Sequence, residues 1–183
     1  MQQLTLLNHL NDKEIEEKEL TYIFEAYYER VYNYIFYRVS CHYTSEDLTS
    51  QVFEKIVLKI GTYSQDKSPF EVWLFAIARN TVNDYFRKQK KQKLFSLDTI
   101  KELVSREKTP EDFVVTAETN DKLLRALRIL NSRDRNIIAL KFGSNLKNNE
   151  IAKILGITES NVGVIIYRTM KKLKKEIERE GEL

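Results

Sequence analysis

Apolar residues recur at intervals of three and four through most of the chain, the spacing of one face of a helix. From about Glu19 to Val39 they fall at Leu20, Ile23, Phe24, Tyr27, Val31, Tyr34 and Ile35, with Arg38 on the same side. Six of the ten tyrosines lie between Tyr22 and Tyr37, and this aromatic stretch reads as core. Thr44 and Asp47 suggest a capping box opening a helix through Ile60, with Leu48, Val52, Ile56 and Ile60 inward and Phe53 and Val57 widening the arc. Gly61 stands where a C-terminal cap would be. The short polar loop Thr62 to Lys67 then delivers the chain to a long helix over Ser68 to Lys93. There Ser68 and Glu71 spell an S-x-x-E capping box with Pro69 at the first helical position, and Phe70, Trp73, Leu74, Ile77, Ala78, Val82, Tyr85 and Phe86 form one face.

The period lapses over 94–110, which reads as a linker of mixed charge. It resumes behind a Thr109, Pro110 and Asp112 start as a helix to about Leu130, with Val114 or Val115, Leu123, Leu124, Leu127 and Leu130 toward its buried side. Ser132 is the expected cap of a short helix through Phe142, ended by Gly143. Residues 1–18 are a polar, acidic lead-in. The predicted fold is all-α: two small helical domains, 1–93 and 111–183, joined by a flexible linker at 94–110.

The most specific local signal is NNEIAKILGITESNVGVII, residues 148–166. Asn148 suits the start of a short helix carrying Ile151, Ala152, Ile154 and Leu155. Gly156 sits where a tight turn needs positive φ. Ile157 tucks under, and Thr158 caps a second helix from Glu159 to about Glu178. Small Ala152 and β-branched Val162 let the two helices approach, which is the logic of a helix-turn-helix. Val162, Ile165, Ile166, Thr169 and Leu173 are its expected core face. Early residues of a recognition helix reach deepest, so Ser160, Asn161 and Val164 are the candidates for contact at base edges, with Val164 suited to a thymine methyl, and Thr158 joins them in the expected DNA-binding set. Arg168, Lys171 and Lys172 suit phosphates.

Charge sharpens this reading. The net charge is only +3, yet it is unevenly spread: residues 11–29 carry seven acids against two bases, while Arg87 to Lys93 carry five bases and no acid. Two cationic patches, at 87–93 and 168–179, favour phosphate-bearing partners. The single cysteine, Cys41, rules out an internal disulfide and a cysteine metal cluster. The N-terminus lacks the pattern of a signal peptide, and no apolar run is long enough to span a membrane. No nucleophile–base pair stands out, so no catalytic residue, metal or cofactor is expected.

An aromatic, basic helical half followed by a linker and a helix-turn-helix half resembles the extracytoplasmic-function (group IV) sigma factors of bacterial RNA polymerase, members of the sigma-70 family. EDLTSQVFEKI (46–56) looks like that family's polymerase-clamp-binding segment. FEVWLFAIARNTVNDYFRK (70–88) looks like its promoter-melting segment, and LNSRDRNIIALKF with the helix-turn-helix looks like its −35-binding domain. The resemblance implies polymerase docking by Asp47, Gln51, Phe53 and Glu54. It implies −10 DNA contact by Tyr63, Asn80, Asp84, Arg87, Lys88, Lys90 and Lys91, with the loop Thr62–Lys67 pocketing a flipped base. It further implies partners in core RNA polymerase, promoter DNA and an anti-sigma factor, no small-molecule substrate, and a cytoplasmic location, at the membrane when held by such a partner. Gly163, Val164 and Ile165 depart from the polar triplet common in relatives, so those contacts are not carried over. A stand-alone helix-turn-helix regulator is the alternative; an enzyme such as a recombinase ranks below both.

Overall fold

The computed structural model describes residues 17–97 and 117–181. The expected linker beyond Leu97, the Thr109–Asp112 helix start, Val114 and Val115 and the lead-in before Glu17 lie outside the described residues.

The first half is built on α1 (Glu17–Val39), which buries Ile23, Val31, Tyr34 and Ile35. Against it pack α2 (His42–Lys59) and α3 (Phe70–Leu97). The start of α2 differs from expectation. It begins two residues before Thr44, after Cys41, so Thr44 and Asp47 lie inside the helix. Asp47 accepts a hydrogen bond from Gln51 Nε2 at 2.8 Å, one turn on, in place of the box. At the other end α2 tightens into a 3₁₀ turn, Ile60–Thr62, and Gly61 adopts no positive φ there. Val57 faces solvent, half exposed, and does not widen the apolar arc.

The start of α3 is also organised differently. Pro69 O accepts from the Trp73 amide at 3.2 Å, so proline stands at the helix entrance as predicted. Glu71, however, serves no capping box: its carboxylate pairs with Arg30 of α1 at 2.6 Å. A partly buried ion pair to a guanidinium outcompetes a local bond to a backbone amide. The helix also runs to Leu97, four residues past the expected end.

The second half comprises α4 (Ala117–Arg128), α5 (Ser132–Ile138) continuing into a π turn (Ala139–Gly143), α6 (Asn148–Leu155) and α7 (Glu159–Gly181). Two caps shift by one residue. Asn131, not Ser132, caps α5, its side chain accepting from the Asp134 amide at 2.8 Å. Lys147, not Asn148, precedes α6, with its amide donating to Glu150 Oε2 at 2.7 Å. Leu127 and Leu130 are buried and Leu123 and Leu124 half-buried, as the periodicity predicts.

The two halves pack on one another. A single apolar cluster runs from Tyr34, Phe75 and Val82 of the first half through Ile137, Leu140, Ile151 and Ile165 of the second. The π turn lies against α1, and α6 against α3. Gly143 makes the first of these approaches possible: a Cβ there would stand 2.9 Å from both Cα and N of Tyr34. Polar groups follow the same seam. Arg30 Nε donates to Ser144 O at 2.9 Å, and Arg135 Nε donates to Tyr37 O at 2.6 Å. A second Arg135 nitrogen donates to Ser40 Oγ, whose residue is held at a φ of 54° where α1 ends.

Candidate nucleic-acid interface

The helix-turn-helix forms where the sequence places it. Gly156 closes α6 at φ 65° and ψ 36°, the left-handed conformation that a residue without Cβ adopts at least cost. The Ile157 amide reaches back to Ala152 O at 3.1 Å. Thr158 then caps α7: its Oγ1 accepts from the Asn161 amide at 3.2 Å and its carbonyl from the Val162 amide at 3.1 Å. Ala152, Val162, Ile165, Thr169 and Leu173 are buried and Ile166 half-buried, so the core face of α7 is the predicted one.

That packing fixes the outward arc. Ser160, Asn161, Val164, Arg168, Lys171 and Lys172 are all exposed. Thr158 is exposed too, but its hydroxyl oxygen is already accepting within the cap. Lys172 Nζ lies 3.8 Å from Asp134 Oδ2, which offsets part of its charge. The arc also carries Tyr167, 72% exposed, which has no place among the predicted DNA-facing residues. Its helical register, one turn after Val164, is the signal that marks it.

The second surface is the outer side of α3. Asn80, Arg87, Lys88, Lys90 and Lys91 are placed on it, and all five are exposed. Asp84 is half-buried and accepts from Arg87 at 2.9 Å, which holds that guanidinium in place and takes Asp84 away from a ligand. Tyr63 belongs elsewhere. It is 6% exposed, its ring packs on Phe70 and Trp73 at 5.3 Å each, and its hydroxyl donates to Ser68 O at 3.1 Å. Burial pushes its pKa up. The aromatic side chain of the Thr62–Lys67 loop thus anchors the loop, and Tyr63 presents no face for a base.

The stripe expected to dock on a protein lies on α2. Asp47 and Glu54 are exposed and Gln51 is half-buried, turned toward Asp47. Phe53 is in the core, with its ring 4.9 Å from Phe24 and 6.1 Å from Tyr28. One turn beyond Glu54 stand Val57 and Leu58, both exposed. Val57 and Leu58 thus extend the exposed side of α2, which carries Asp47 and Glu54, with apolar area.

Between these surfaces lies a buried polar knot. Arg38, 4% exposed, donates to Asn136 Oδ1, which also accepts from the Tyr34 hydroxyl at 2.9 Å. Arg38 is 3.4 Å from Asn83 Oδ1 and 5.6 Å from the centre of the Phe86 ring. Burial raises the Tyr34 pKa against the opposing pull of Arg38 and Arg79, and burial lowers that of Arg135, with Arg38 and Arg128 adding to the effect.

Two family models match the chain. Sigma-70 region 2 covers residues 23–92, and Sigma-70, region 4 covers residues 120–173. Among curated proteins, the chain is 33% identical to the ECF RNA polymerase sigma factor BldN of Streptomyces coelicolor over 153 residues, 84% of this chain but only 58% of that relative's length. It is 28% identical to the ECF RNA polymerase sigma factor SigX of Bacillus subtilis over 167 residues, 88% of this chain and 85% of the relative. Solved structures share the fold. The sigma factor RpoE in complex with the anti-sigma factor NepR from Bartonella quintana superimposes with a TM-score of 0.71 at 20% identity, covering 88% of this chain and 98% of that one. CnrH in complex with the cytosolic domain of CnrY gives 0.65 at 16% identity, covering 96% of each.

Proposed function

The chain belongs to the sigma-70 family, in its extracytoplasmic-function group, and from that premise we propose that it is an RNA polymerase sigma factor: it directs core enzyme to specific promoters and assists strand opening at the −10 element. The observation that carries the reading is the pairing of two outward surfaces on one chain. One is the cationic end of α3, with Asn80 on the same helix; the other is the arc of α7 from Ser160 to Lys171.

Each surface suits its part. Opening a duplex exposes bases and leaves two strands of phosphate to be held. Arg87, Lys88, Lys90 and Lys91 supply the cations, with Arg87 steadied by Asp84. Reading a −35 element calls for a helix in the major groove, and α7 offers Ser160, Asn161 and Val164 near its start with Arg168, Lys171 and Lys172 for phosphates behind them. Asp47, Gln51 and Glu54, continued by Val57 and Leu58, form the surface for core polymerase. The domain division follows the same lines: 1–93 for polymerase and −10 DNA, 94–110 as linker, 111–183 for −35 DNA. An anti-sigma factor, such as the NepR that RpoE of Bartonella quintana binds, would hold the packed arrangement, since the halves must separate to reach two promoter elements at once.

The test is complex formation between the full chain and its host's core polymerase. Asp47→Arg combined with Leu58→Asp is expected to abolish the complex while leaving the fold intact, because both side chains are exposed. Specific binding to duplex DNA with no association to core polymerase would favour a stand-alone regulator instead.

A further inference from the structure

Gly163 lies inside α7 (Glu159–Gly181), four residues past its start. Neither of the usual reasons for a glycine applies there. Its φ is negative, because among the described residues Gly156 is the glycine with positive φ. Packing does not demand it either: a Cβ at Gly163 would meet only Asn148 Nδ2 at 3.8 Å, an ordinary van der Waals distance. Gly143 makes the contrast, since a Cβ there would strike the backbone of Tyr34. Glycine is nonetheless the least favourable residue after proline in a helix interior. A cost that folding does not recover points to something outside the fold that needs the space.

The neighbourhood says what that something is. Gly163 flanks the arc of Ser160, Val164 and Tyr167, all exposed and none charged. On its other side stands Asn148 at the start of α6, whose Oδ1 is buried without a hydrogen-bond partner among the described residues. The seam between the two helices of the helix-turn-helix therefore carries an unpaired polar group next to the missing side chain. We propose that Gly163 is a close-approach position for duplex DNA: its missing side chain lets α7 seat deeper in the major groove, bringing Ser160 and Val164 onto base edges. The proposal rests on the promoter-reading role assigned above and specifies how this helix performs it. Close fit and shape replace charge at this point of the helix.

Gly163→Ala tests it with two readouts of opposite sign. The variant is expected to raise Tm by about 2–4 °C, because alanine favours the helix and the space is free. Wild-type holoenzyme, made from the full chain and core polymerase, is used to select its preferred −35 sequence from duplexes randomised in that region. Gly163→Ala holoenzyme is expected to bind the selected duplex about tenfold more weakly, the scale of a single base-edge interaction. Equal binding by both proteins overturns the inference while leaving the sigma-factor reading in place. A fall in Tm overturns it as well, since the fold would then require the glycine. A wild-type holoenzyme that selects no sequence defeats both.

Discussion

The Tyr34 hydroxyl on α1 donates a 2.9 Å hydrogen bond to the side-chain oxygen of Asn136 on α5, 102 positions away in the chain. Both residues are buried, and the same oxygen accepts from Arg38. A charged guanidinium has thus been taken out of water at the seam between the two halves, and a single amide oxygen is its principal partner. Removing that partner leaves a buried charge under-bonded, which costs more than the bond itself contributes. Asn136→Ala is expected to destabilise the chain by about 2–4 kcal/mol and to loosen the docking of the halves. Chemical denaturation measures the first effect, and a larger radius of gyration in small-angle scattering measures the second.

Gly143 carries a steric version of the same dependence. The Gly143→Ala methyl group would be forced to within 2.9 Å of the Tyr34 backbone, which cannot swing aside as a side chain can. The expected cost is about 1–3 kcal/mol, read as a lowered Tm. Gly61→Ala is the control: a Cβ there meets nothing within 4 Å and its φ is not positive, so Tm should hold or rise slightly instead of falling.

Stability should also fall at high pH. Burial pushes the Tyr27 pKa up to about 12, with the neighbouring Glu71 carboxylate adding to the shift. Tyr34 and Tyr63 are raised by burial as well. In each case the neutral phenol is the form the fold accepts. The stabilisation is therefore complete below the unfolded-state value near 10 and is lost as pH rises through the folded value. For Tyr27 the window runs from about pH 10 to about pH 12. Tyr27→Phe should flatten the stability profile in that window and leave it unchanged near neutrality.

The cations of α3 predict a salt signature. Lys90→Ala and Lys91→Ala should each weaken holoenzyme binding to promoter DNA without changing the preferred sequence. Each should also reduce the dependence of log K on log salt by about one unit, as expected when one phosphate is no longer neutralised. A change in sequence preference would place the lysine at a base instead.

Local chemistry is legible in the sequence, and long-range competition is not. Gly156 and Thr158 act within a few residues of themselves, so turn and cap can be read directly. The buried face of α7 follows from helical period, as does that of α1 except at Phe24, which is 47% exposed. The start of α3 escapes such a reading because Glu71 has a partner 41 positions back, in Arg30. Phe53 and Val57 exchange roles for a related reason: Phe24 and Tyr28 of α1 decide which side of α2 is covered, and a stripe of apolar residues does not state its own edge. Likewise Tyr63 reads as a loop aromatic until Phe70 and Trp73 are placed around it. The knot of Tyr34, Arg38 and Asn136 joins distant stretches of chain, and no periodicity marks such a pairing.

The central claim, that this chain makes core RNA polymerase recognise promoters, is tested most directly by run-off transcription with purified core enzyme on a library of the host's promoters. The account predicts discrete transcripts that appear only when the chain is added, that share −10 and −35 elements, and that fall when Arg87 and Lys88 are both replaced by alanine. Duplex DNA binding by the chain alone, with no transcript from any promoter in the presence of core enzyme, would contradict it.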